Sequence, residues 1–224
     1  KVRKTGADVG VMFDGDTDRM FLIDEQGGLV PADVTLLLMA REFLRRSPGA
    51  SIAYNLICSR AVPELISKWG GVPVKSAVGY ANVREALVNN NGVMGGELSA
   101  HYSFKDNYYA DSGFIAALMV LELLSREGKP LSELVREYAP YAKSPEVNLE
   151  VKDASAVMTA IKQKYSDAQI DELDGVTVEY ADWWFNARAS NTEPLLRVTV
   201  EANTKEMLDE KVKEVVDFVK KMSS

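Results

Sequence analysis

The stretch "SIAYNLICSRAVPELISKWGGVPVKS" (residues 51–76) decides the fold class of this protein. It begins with an apolar, β-rich run at 51–57, continues with a helical pattern near 61–69 and ends with a second β-rich run at 71–76. A strand, a helix and a strand at this spacing predict a βαβ unit, whose strands lie in a mostly parallel sheet.

The same alternation continues on both sides of this stretch. We expect strands at 7–13 and 20–24, a turn at 25–28, a helix at 32–46 with Pro31 in its first turn, a helix near 80–90, a strand at 92–97, and helices near 113–126 and 131–138. The fold class is therefore α/β. We predict a mixed βαβ domain over residues 29–143, preceded at 1–28 by the remnant of another α/β domain.

The order of the elements changes after residue 143. A strand at 144–151 is followed by a helix at about 153–165, by two or three strands, and by a last helix at about 204–221. This order predicts a smaller α+β domain with an antiparallel sheet over residues 144–224. Pro140 and Pro145 bracket the short linker that we expect between the two domains.

Composition narrows the class of protein. The chain has 224 residues, of which 46% are apolar and 26% charged, as is typical of globular proteins. No run approaches the roughly 18 apolar residues of a membrane span, and the net charge of −7 disfavours a nucleic-acid surface. The single cysteine, Cys58, is expected to be a buried thiol in a cytoplasmic protein. The start, "KVRKTGADVG", lacks both Met and an apolar leader, so we expect it to lie inside a domain of a longer protein.

The first candidate site is "FDGDTDR" (residues 13–19), in which Asp14, Asp16 and Asp18 alternate and Arg19 follows. In an extended loop these carboxylates converge on one side, and a hard cation such as Mg²⁺ is the natural neutraliser. Three alternatives stay open. An EF-hand requires Gly where Arg19 stands, an aspartyl-phosphate phosphatase requires Thr or Val where Asp18 stands, and a solvated acidic turn requires no cation.

The second candidate site is "GGELSAH" (residues 95–101), in which Glu97, Ser99 and His101 alternate and share a face. A carboxylate beside a hydroxyl is suited to binding the hydroxyl groups of a sugar. His101 is the one histidine of the chain, and both a structural and a functional role stay open. Lys105 follows and offers a cation for a phosphate group.

The third candidate site is "RASNTEPLLRV" (residues 188–198), a short turn that Pro194 ends. An arginine fork binds two phosphate oxygens, and hydroxyl and backbone N–H groups complete such a cradle. The candidate phosphate ligands are Arg188, Ser190, Asn191 and Thr192. Arg197, on the following strand, is either another phosphate contact or part of a structural ion pair.

Taken in order, the three sites resemble the α-D-phosphohexomutase superfamily. An aspartate-rich metal loop, a sugar loop of the form GE(M/L)S and a phosphate loop of the form RxSNTxP follow one another in that superfamily. The sequence is most similar to its phosphomannomutase/phosphoglucomutase branch, since phosphoglucosamine mutases typically carry Gln where Leu98 stands. The similarity covers the whole chain, including "DGVTVEYADWWFNARASNTEP" (174–194), and corresponds to the C-terminal part of such an enzyme.

The resemblance implies roles for the three sites. The acidic loop would hold Mg²⁺ against a phosphoserine on a first domain that this chain lacks, and the smaller C-terminal domain would grip the phosphate that is not reacting. The residues implied are Asp14, Asp16 and Asp18 for the metal, Glu97 and Ser99 for the sugar, Arg188, Ser190, Asn191 and Thr192 for the phosphate, and Arg19, His101 and Lys105 as catalytic candidates.

The implied reaction is the reversible transfer of phosphate between the 1- and 6-positions of mannose or glucose. The implied partners are hexose 1-phosphate, hexose 6-phosphate, hexose 1,6-bisphosphate and the N-terminal domains of the same protein. Without those domains we expect this chain to be inactive, and a non-catalytic sugar-phosphate binding module is the alternative. The sequence departs from the family in "SAVGY" (76–80), where Ala77 and Tyr80 stand in place of a frequent Lys and His.

Overall fold

The structure, a computed structural model, describes residues 1–190 and 193–223. The chain splits into two compact units, Lys1–Pro140 and Tyr141–Ser224. The predicted domain boundaries at 28/29 and 143/144 remain predictions.

The first unit is built on a four-stranded sheet with helices that follow its strands. Its elements are α1 (Val2–Thr5), β1 (Val9–Phe13), β2 (Met20–Asp24), α2 (Ala32–Arg46), β3 (Ser51–Asn55), α3 (Ala61–Lys68), β4 (Val72–Ser76), α4 (Tyr80–Asn89), β5 (Met94–Gly96), β6 (Tyr102–Phe104), α5 (Gly113–Glu127) and α6 (Leu131–Tyr138). The sheet has the order β4-β3-β5-β6, and β3 pairs in parallel with both β4 and β5. The βαβ prediction from residues 51–76 is therefore confirmed.

The strand β6 was missing from the sequence prediction. It runs antiparallel to β5, with Gly96 opposite Tyr102, so the chain reverses direction within residues 97–101. Tyr102 is fully buried, and its hydroxyl donates to the carbonyl oxygen of Ala32 at 3.0 Å. This reversal places the second candidate site in a tight connection between two buried strands.

The strands β1 and β2 form an antiparallel hairpin whose connection is the acidic loop. The register runs from Val9 opposite Asp24 to Phe13 opposite Met20, so this last pair flanks the loop of residues 14–19 on both sides. A backbone hydrogen bond joins this hairpin to the second candidate site: the Met20 N–H donates to the Ala100 carbonyl oxygen at 3.2 Å.

In its described residues, the second unit is an antiparallel sheet with two helices. Its elements are β7 (Ala142–Lys143), β8 (Val147–Glu150), α7 (Ala154–Lys164), β9 (Gln169–Asp171), β10 (Val176–Glu179), β11 (Trp183–Ala189), β12 (Leu195–Ala202) and α8 (Lys205–Ser223). The sheet order is β7-β12-β11-β10-β9, and β8 also pairs with β12. Its pairings are antiparallel, which confirms the α+β prediction. Four strands, rather than the two or three expected, separate α7 from α8 within the described part, because three-residue β9 gives little periodic signal.

Each unit has its own apolar interior. In the first unit, α2 is buried along most of its length, which explains why its sequence is apolar over several consecutive residues. In the second unit, the core lies between the sheet and the helices α7 and α8, and it includes Ile161, Phe185, Val198, Val200 and Val215. Over the residues that the structure describes, none of the helices has both the length and the apolar character needed to cross a membrane.

Candidate active site

The acidic loop brings its three carboxylates together. Asp14, Asp16 and Asp18 each place a carboxylate oxygen within 4.8 Å of the others. Thr17 has a φ of +68°, in the left-handed region, and this conformation turns the chain between Asp16 and Asp18. One arginine, Arg19, faces three carboxylates, so two negative charges are left for a divalent cation to balance. An all-oxygen donor set of this kind fits Mg²⁺.

Arg19 closes the acidic loop through Asp14. The Arg19 Nε donates to Asp14 Oδ2 at 2.6 Å, and the Arg19 backbone N–H donates to Asp14 Oδ1 at 3.2 Å. Desolvation acts to raise the pKa of Asp14, but the hydrogen bonds and the charge of Arg19 outweigh it and hold that pKa below its usual value. Each oxygen of Asp14 keeps a lone pair that a cation can use, whereas a nucleophilic oxygen would have to give up its hydrogen bond from Arg19, so the arrangement favours a metal loop over an aspartyl-phosphate phosphatase.

The second candidate site is a closed loop around a buried carboxylate. Glu97 is 2% exposed, and its Oε2 accepts hydrogen bonds from the Gly79 backbone N–H at 3.1 Å and from the Asn55 side-chain amide at 3.4 Å. Burial raises the pKa of Glu97, although the charge of His101 and these hydrogen bonds oppose the rise. Ala100, with a φ of +69°, supplies the turn that returns the chain to β6.

His101 joins the second site to the acidic loop. Its Nδ1 lies 3.0 Å from Ser99 Oγ and 3.8 Å from Glu97 Oε1, and its Nε2 lies 3.6 Å from Asp18 Oδ2. An isolated bridge pairs the backbones of Arg19 and His101, so the contact rests on strand-like hydrogen bonding as well as on side chains. The structure therefore assembles two of the three sites within one unit.

Asp111 is a further member of this cluster that the sequence did not reveal. The pattern "DS" before a helix predicts N-cap residues, and the observed cap of α5 is Ser112, whose Oγ accepts from the Ile115 N–H at 3.3 Å. Asp111 instead places a carboxylate oxygen within 4.8 Å of ligand atoms of Asp18 and His101. Burial raises its pKa, and the charge of Asp18 adds to the effect while His101 opposes it. The sequence did not predict that Asp111 joins the cluster, because a backbone bridge to Ser103, in the unpredicted strand β6, positions it there.

Lys105 and Tyr80 occupy different places relative to His101. The Lys105 Nζ donates to Asn91 Oδ1 at 2.7 Å. The Lys105 backbone N–H donates to the carbonyl oxygen of Val93, which precedes β5, whereas Glu97 follows the other end of that strand. The structure thus does not bring Lys105 into the cluster. The Tyr80 ring, at the start of α4, lies 6.1 Å from the ring of His101, centroid to centroid.

The third candidate site lies in the second unit, at the end of the hairpin formed by β11 and β12. Arg188 and Arg197 are direct cross-strand partners, and both bind Glu146, with Arg188 Nη2 at 2.7 Å and Arg197 Nη1 at 3.5 Å. Arg197 Nη2 is also 3.5 Å from Ser190 Oγ. The sequence had left Arg197 open between a phosphate contact and an ion pair, and had given no role to Glu146, which precedes β8. The other two predicted ligands, Asn191 and Thr192, lie outside the described residues.

Comparison with known proteins shows the family of this chain. Residues 31–141 match the α/β/α domain III of phosphoglucomutase/phosphomannomutase, and residues 146–218 match the C-terminal domain of the same family. The chain belongs to the phosphoglucomutase/phosphomannomutase family. The resemblance inferred from the three motifs, and its restriction to the C-terminal part, are thereby confirmed, and so is the predicted fold class.

Individual relatives agree with this assignment. A phosphomannomutase of Methanocaldococcus jannaschii is 38% identical over 223 residues, an alignment that covers 100% of this chain and 50% of that protein. A crystal structure of a phosphoglucomutase/phosphomannomutase family protein from Burkholderia thailandensis matches with a TM-score of 0.87 and 30% identity, over 100% of this chain and 49% of that one. The chain thus spans about half the length of the curated relatives it matches.

A more distant structure shares the fold. Aspergillus fumigatus N-acetylphosphoglucosamine mutase, crystallised with GlcNAc-6P and magnesium, matches with a TM-score of 0.73 and 18% identity, over 96% of this chain and 49% of that one. At this identity the match shows a common fold and no more.

Proposed function

We propose that this chain supplies the metal, sugar and phosphate sites of a phosphohexomutase, which transfers phosphate reversibly between the 1- and 6-positions of mannose or glucose. The observation that carries the proposal is the meeting of two sites, with His101 Nε2 3.6 Å from Asp18 Oδ2. A metal-loop carboxylate and a sugar-loop residue in contact are what phosphoryl transfer to a sugar hydroxyl requires.

In this proposal the acidic loop holds Mg²⁺ through Asp14, Asp16 and Asp18. When bound, the ion supplies Lewis-acid stabilisation to the phosphoryl group that is transferred. Arg19 holds Asp14 in place through two hydrogen bonds. Support for Mg²⁺ comes from the all-oxygen donor set of the three aspartates.

The sugar loop orients the hexose and handles its proton. Glu97 and Ser99 accept or donate hydrogen bonds at sugar hydroxyl groups. His101 accepts the proton of the attacking hydroxyl at Nε2, while Ser99 Oγ and Glu97, on the Nδ1 side of the ring, hold the other nitrogen in its protonated form.

The phosphate that does not react binds at the third site, through Arg188, Ser190, Asn191 and Thr192. Glu146 accepts a hydrogen bond from Arg188 Nη2 and thereby fixes the plane of the guanidinium group. The remaining N–H groups of that side chain are then oriented for phosphate oxygens.

A phosphoserine on another part of the full-length protein donates the phosphoryl group in this scheme. Transfer to the free hydroxyl of a hexose monophosphate makes the 1,6-bisphosphate, and the sugar then reverses its orientation. The other phosphate returns to the serine, so phosphate is conserved over the cycle. Lys105 remains a catalytic candidate from the sequence, although it lies apart from the cluster.

A non-catalytic sugar-phosphate binding module is the second candidate function. Tyr80 favours it, because it stands beside His101 where family members often carry a second histidine, and a tyrosine is a poor base at neutral pH. Both functions require the phosphate cradle.

The phosphate cradle can be tested on the 224-residue chain itself. Glucose 1-phosphate, followed in ¹H–¹⁵N spectra, should shift the amide resonances of Ser190, Asn191 and Thr192, whereas glucose should leave them unchanged. Arg188→Lys should weaken this binding roughly tenfold, because Lys keeps the charge but loses the fork. The exposed Arg84 provides the matched control, Arg84→Lys. Equal shifts with phosphate and free sugar would show that the cradle has been wrongly assigned.

A further inference from the structure

The cluster around His101 offers a ligand set that the acidic loop does not have. A ring nitrogen of His101 and carboxylate oxygens of Asp18 and Asp111 lie within 4.8 Å of one another. We propose that these three residues form a second cation site, selective for Zn²⁺ or a similar transition metal over Mg²⁺, and that it shares Asp18 with the acidic loop.

The chemistry of the ligands sets the selectivity. Imidazole nitrogen is a preferred ligand of Zn²⁺, and one histidine with two carboxylates leaves a fourth tetrahedral position open for water or an oxygen of a ligand. Mg²⁺ instead prefers an octahedral set of oxygens, which the acidic loop offers through Asp14, Asp16 and Asp18. The two overlapping sets therefore select different cations.

A buried carboxylate beneath His101 points independently to a metal ligand. Glu97 is 2% exposed, and its Oε1 has no hydrogen-bond partner among the described residues. That oxygen lies 3.8 Å from His101 Nδ1, on the side of the ring opposite Asp18. Histidines that bind metals commonly donate their other ring N–H to a carboxylate, which fixes the tautomer and strengthens the ligand. With Nδ1 held by Ser99 and Glu97, the lone pair of Nε2 is available to a cation.

The backbone holds the three ligands in place before any cation binds. Isolated bridges pair Arg19 with His101 and Ser103 with Asp111, so the segments that carry the ligands are tied together. A Cβ atom at Gly113, at the start of α5, would lie 2.7 Å from the carbonyl oxygen of Thr17, which shows how closely α5 packs on the acidic loop. A site preorganised in this way loses little entropy on binding.

Zn²⁺ at this site removes two groups from the proposed mutase reaction. Asp18 is drawn away from the Mg²⁺ set, and the lone pair of His101 Nε2 is no longer available to a proton. We therefore expect Zn²⁺ to act as an inhibitor that competes with Mg²⁺. The site itself depends on the ligand geometry and stands even if the proposed reaction is wrong.

The single histidine of the chain makes the test direct. Zn²⁺ is added to the ¹⁵N-labelled chain, and the two imidazole nitrogens are followed by ¹H–¹⁵N correlation through the ring protons. One equivalent of Zn²⁺ should shift Nε2 strongly and leave Nδ1 protonated, whereas Mg²⁺ should shift neither nitrogen appreciably. An unchanged Nε2 resonance, or coordination through Nδ1, would overturn the proposal.

Two variants separate the overlapping sites by calorimetric titration. Asp111→Asn should weaken Zn²⁺ binding at least about tenfold, since loss of a residue that only hydrogen-bonds to a metal ligand already costs that much, and it should leave Mg²⁺ binding unchanged. Asp16→Asn should weaken Mg²⁺ binding and leave Zn²⁺ binding unchanged. The exposed Asp106 provides the matched control, Asp106→Asn, which should change neither affinity. Circular dichroism confirms that each variant is folded. Equal Zn²⁺ affinity in the folded Asp111→Asn variant and the unmodified chain would contradict the site, as would equal loss of both metals.

Discussion

Ser99 and Glu97 illustrate how neighbouring residues of one loop serve different purposes. Glu97 is buried and receives hydrogen bonds from Gly79 and Asn55, so it holds the loop together as well as facing His101. Ser99 is exposed, and the partner of its hydroxyl among the described hydrogen bonds is the His101 ring. Substitution of Ser99 therefore isolates ligand binding from folding better than substitution of Glu97.

We predict that Ser99→Ala lowers kcat/KM of the full-length protein roughly 30-fold. The variant loses a hydrogen bond to the sugar and the bond that orients His101, each worth on the order of 1 kcal/mol. Steady-state kinetics with hexose 1-phosphate measure the effect, and Ser125→Ala on the outer face of α5 is the matched control. A lower melting temperature with unchanged kcat/KM would assign Ser99 a structural role instead.

The helices α2 and α5 are joined by an ion-pair network around one buried carboxylate. Glu42 is 2% exposed and accepts hydrogen bonds from Arg45 and Arg46 on α2 and from Arg126 on α5. Burial acts to raise the pKa of Glu42, but the three arginines outweigh it and lower that pKa to about 2. The charged form of Glu42 therefore stabilises the folded first unit.

We predict that Glu42→Gln lowers the free energy of unfolding by about 3 kcal/mol at neutral pH, since it removes the buried negative charge to which three exposed arginine side chains donate. The contribution of Glu42 is fully present above its ordinary pKa of 4.5 and is lost as the pH falls towards about 2, because the depressed pKa belongs to the folded state. Denaturant unfolding at a series of pH values measures both effects.

The exposed Glu137 on α6 provides the control for Glu42. Its ion pair with Lys129 spans 3.7 Å between two half-exposed side chains, so Glu137→Gln should change stability by less than about 0.5 kcal/mol. The two variants should differ less in their free energy of unfolding below pH 4 than at neutral pH. A difference that stays the same would show that the charge of Glu42 is not what stabilises the fold.

The long helices with a strong apolar periodicity could be predicted from the sequence. The three-residue strands and the contacts between residues far apart in the chain could not. The helix predicted at 32–46 is observed at Ala32–Arg46, because a long apolar pattern and the preceding Pro31 mark its limits. The three-residue strands β6 and β9 carry too little periodicity, since their pairing depends on partners elsewhere in the chain. The role of Glu42 was invisible for the same reason, because Arg126 lies 84 residues away.

The candidate sites follow the same division. Alternating residues within seven-residue motifs drew attention to the acidic loop and the sugar loop. The extended backbone expected for the acidic loop was wrong, because Thr17 is left-handed and turns the chain, as Ala100 does in the sugar loop. Their contact through His101, the approach of Asp111, and the pairing of Glu146 with Arg188 depend on how distant segments fold together. Local sequence contains no information on these distances.

The chain as a whole carries two matched family domains and spans about half of its curated relatives. Its two units hold different parts of the proposed machinery: the first has the metal and sugar sites, and the second has the phosphate cradle. The full-length protein, with the region that precedes these units in relatives, is therefore the material on which the proposed activity must be measured.

The most direct measurement is ³¹P NMR of the full-length protein with hexose 1-phosphate, a trace of hexose 1,6-bisphosphate and Mg²⁺. We predict that the 1-phosphate resonance is replaced by that of the 6-phosphate. Asp16→Asn should slow the conversion at least about 100-fold, as expected for loss of electrostatic stabilisation, whereas the exposed control Asp8→Asn should not. Release of inorganic phosphate, no conversion by the unmodified protein, or equal rates in Asp16→Asn and the unmodified protein would contradict the account.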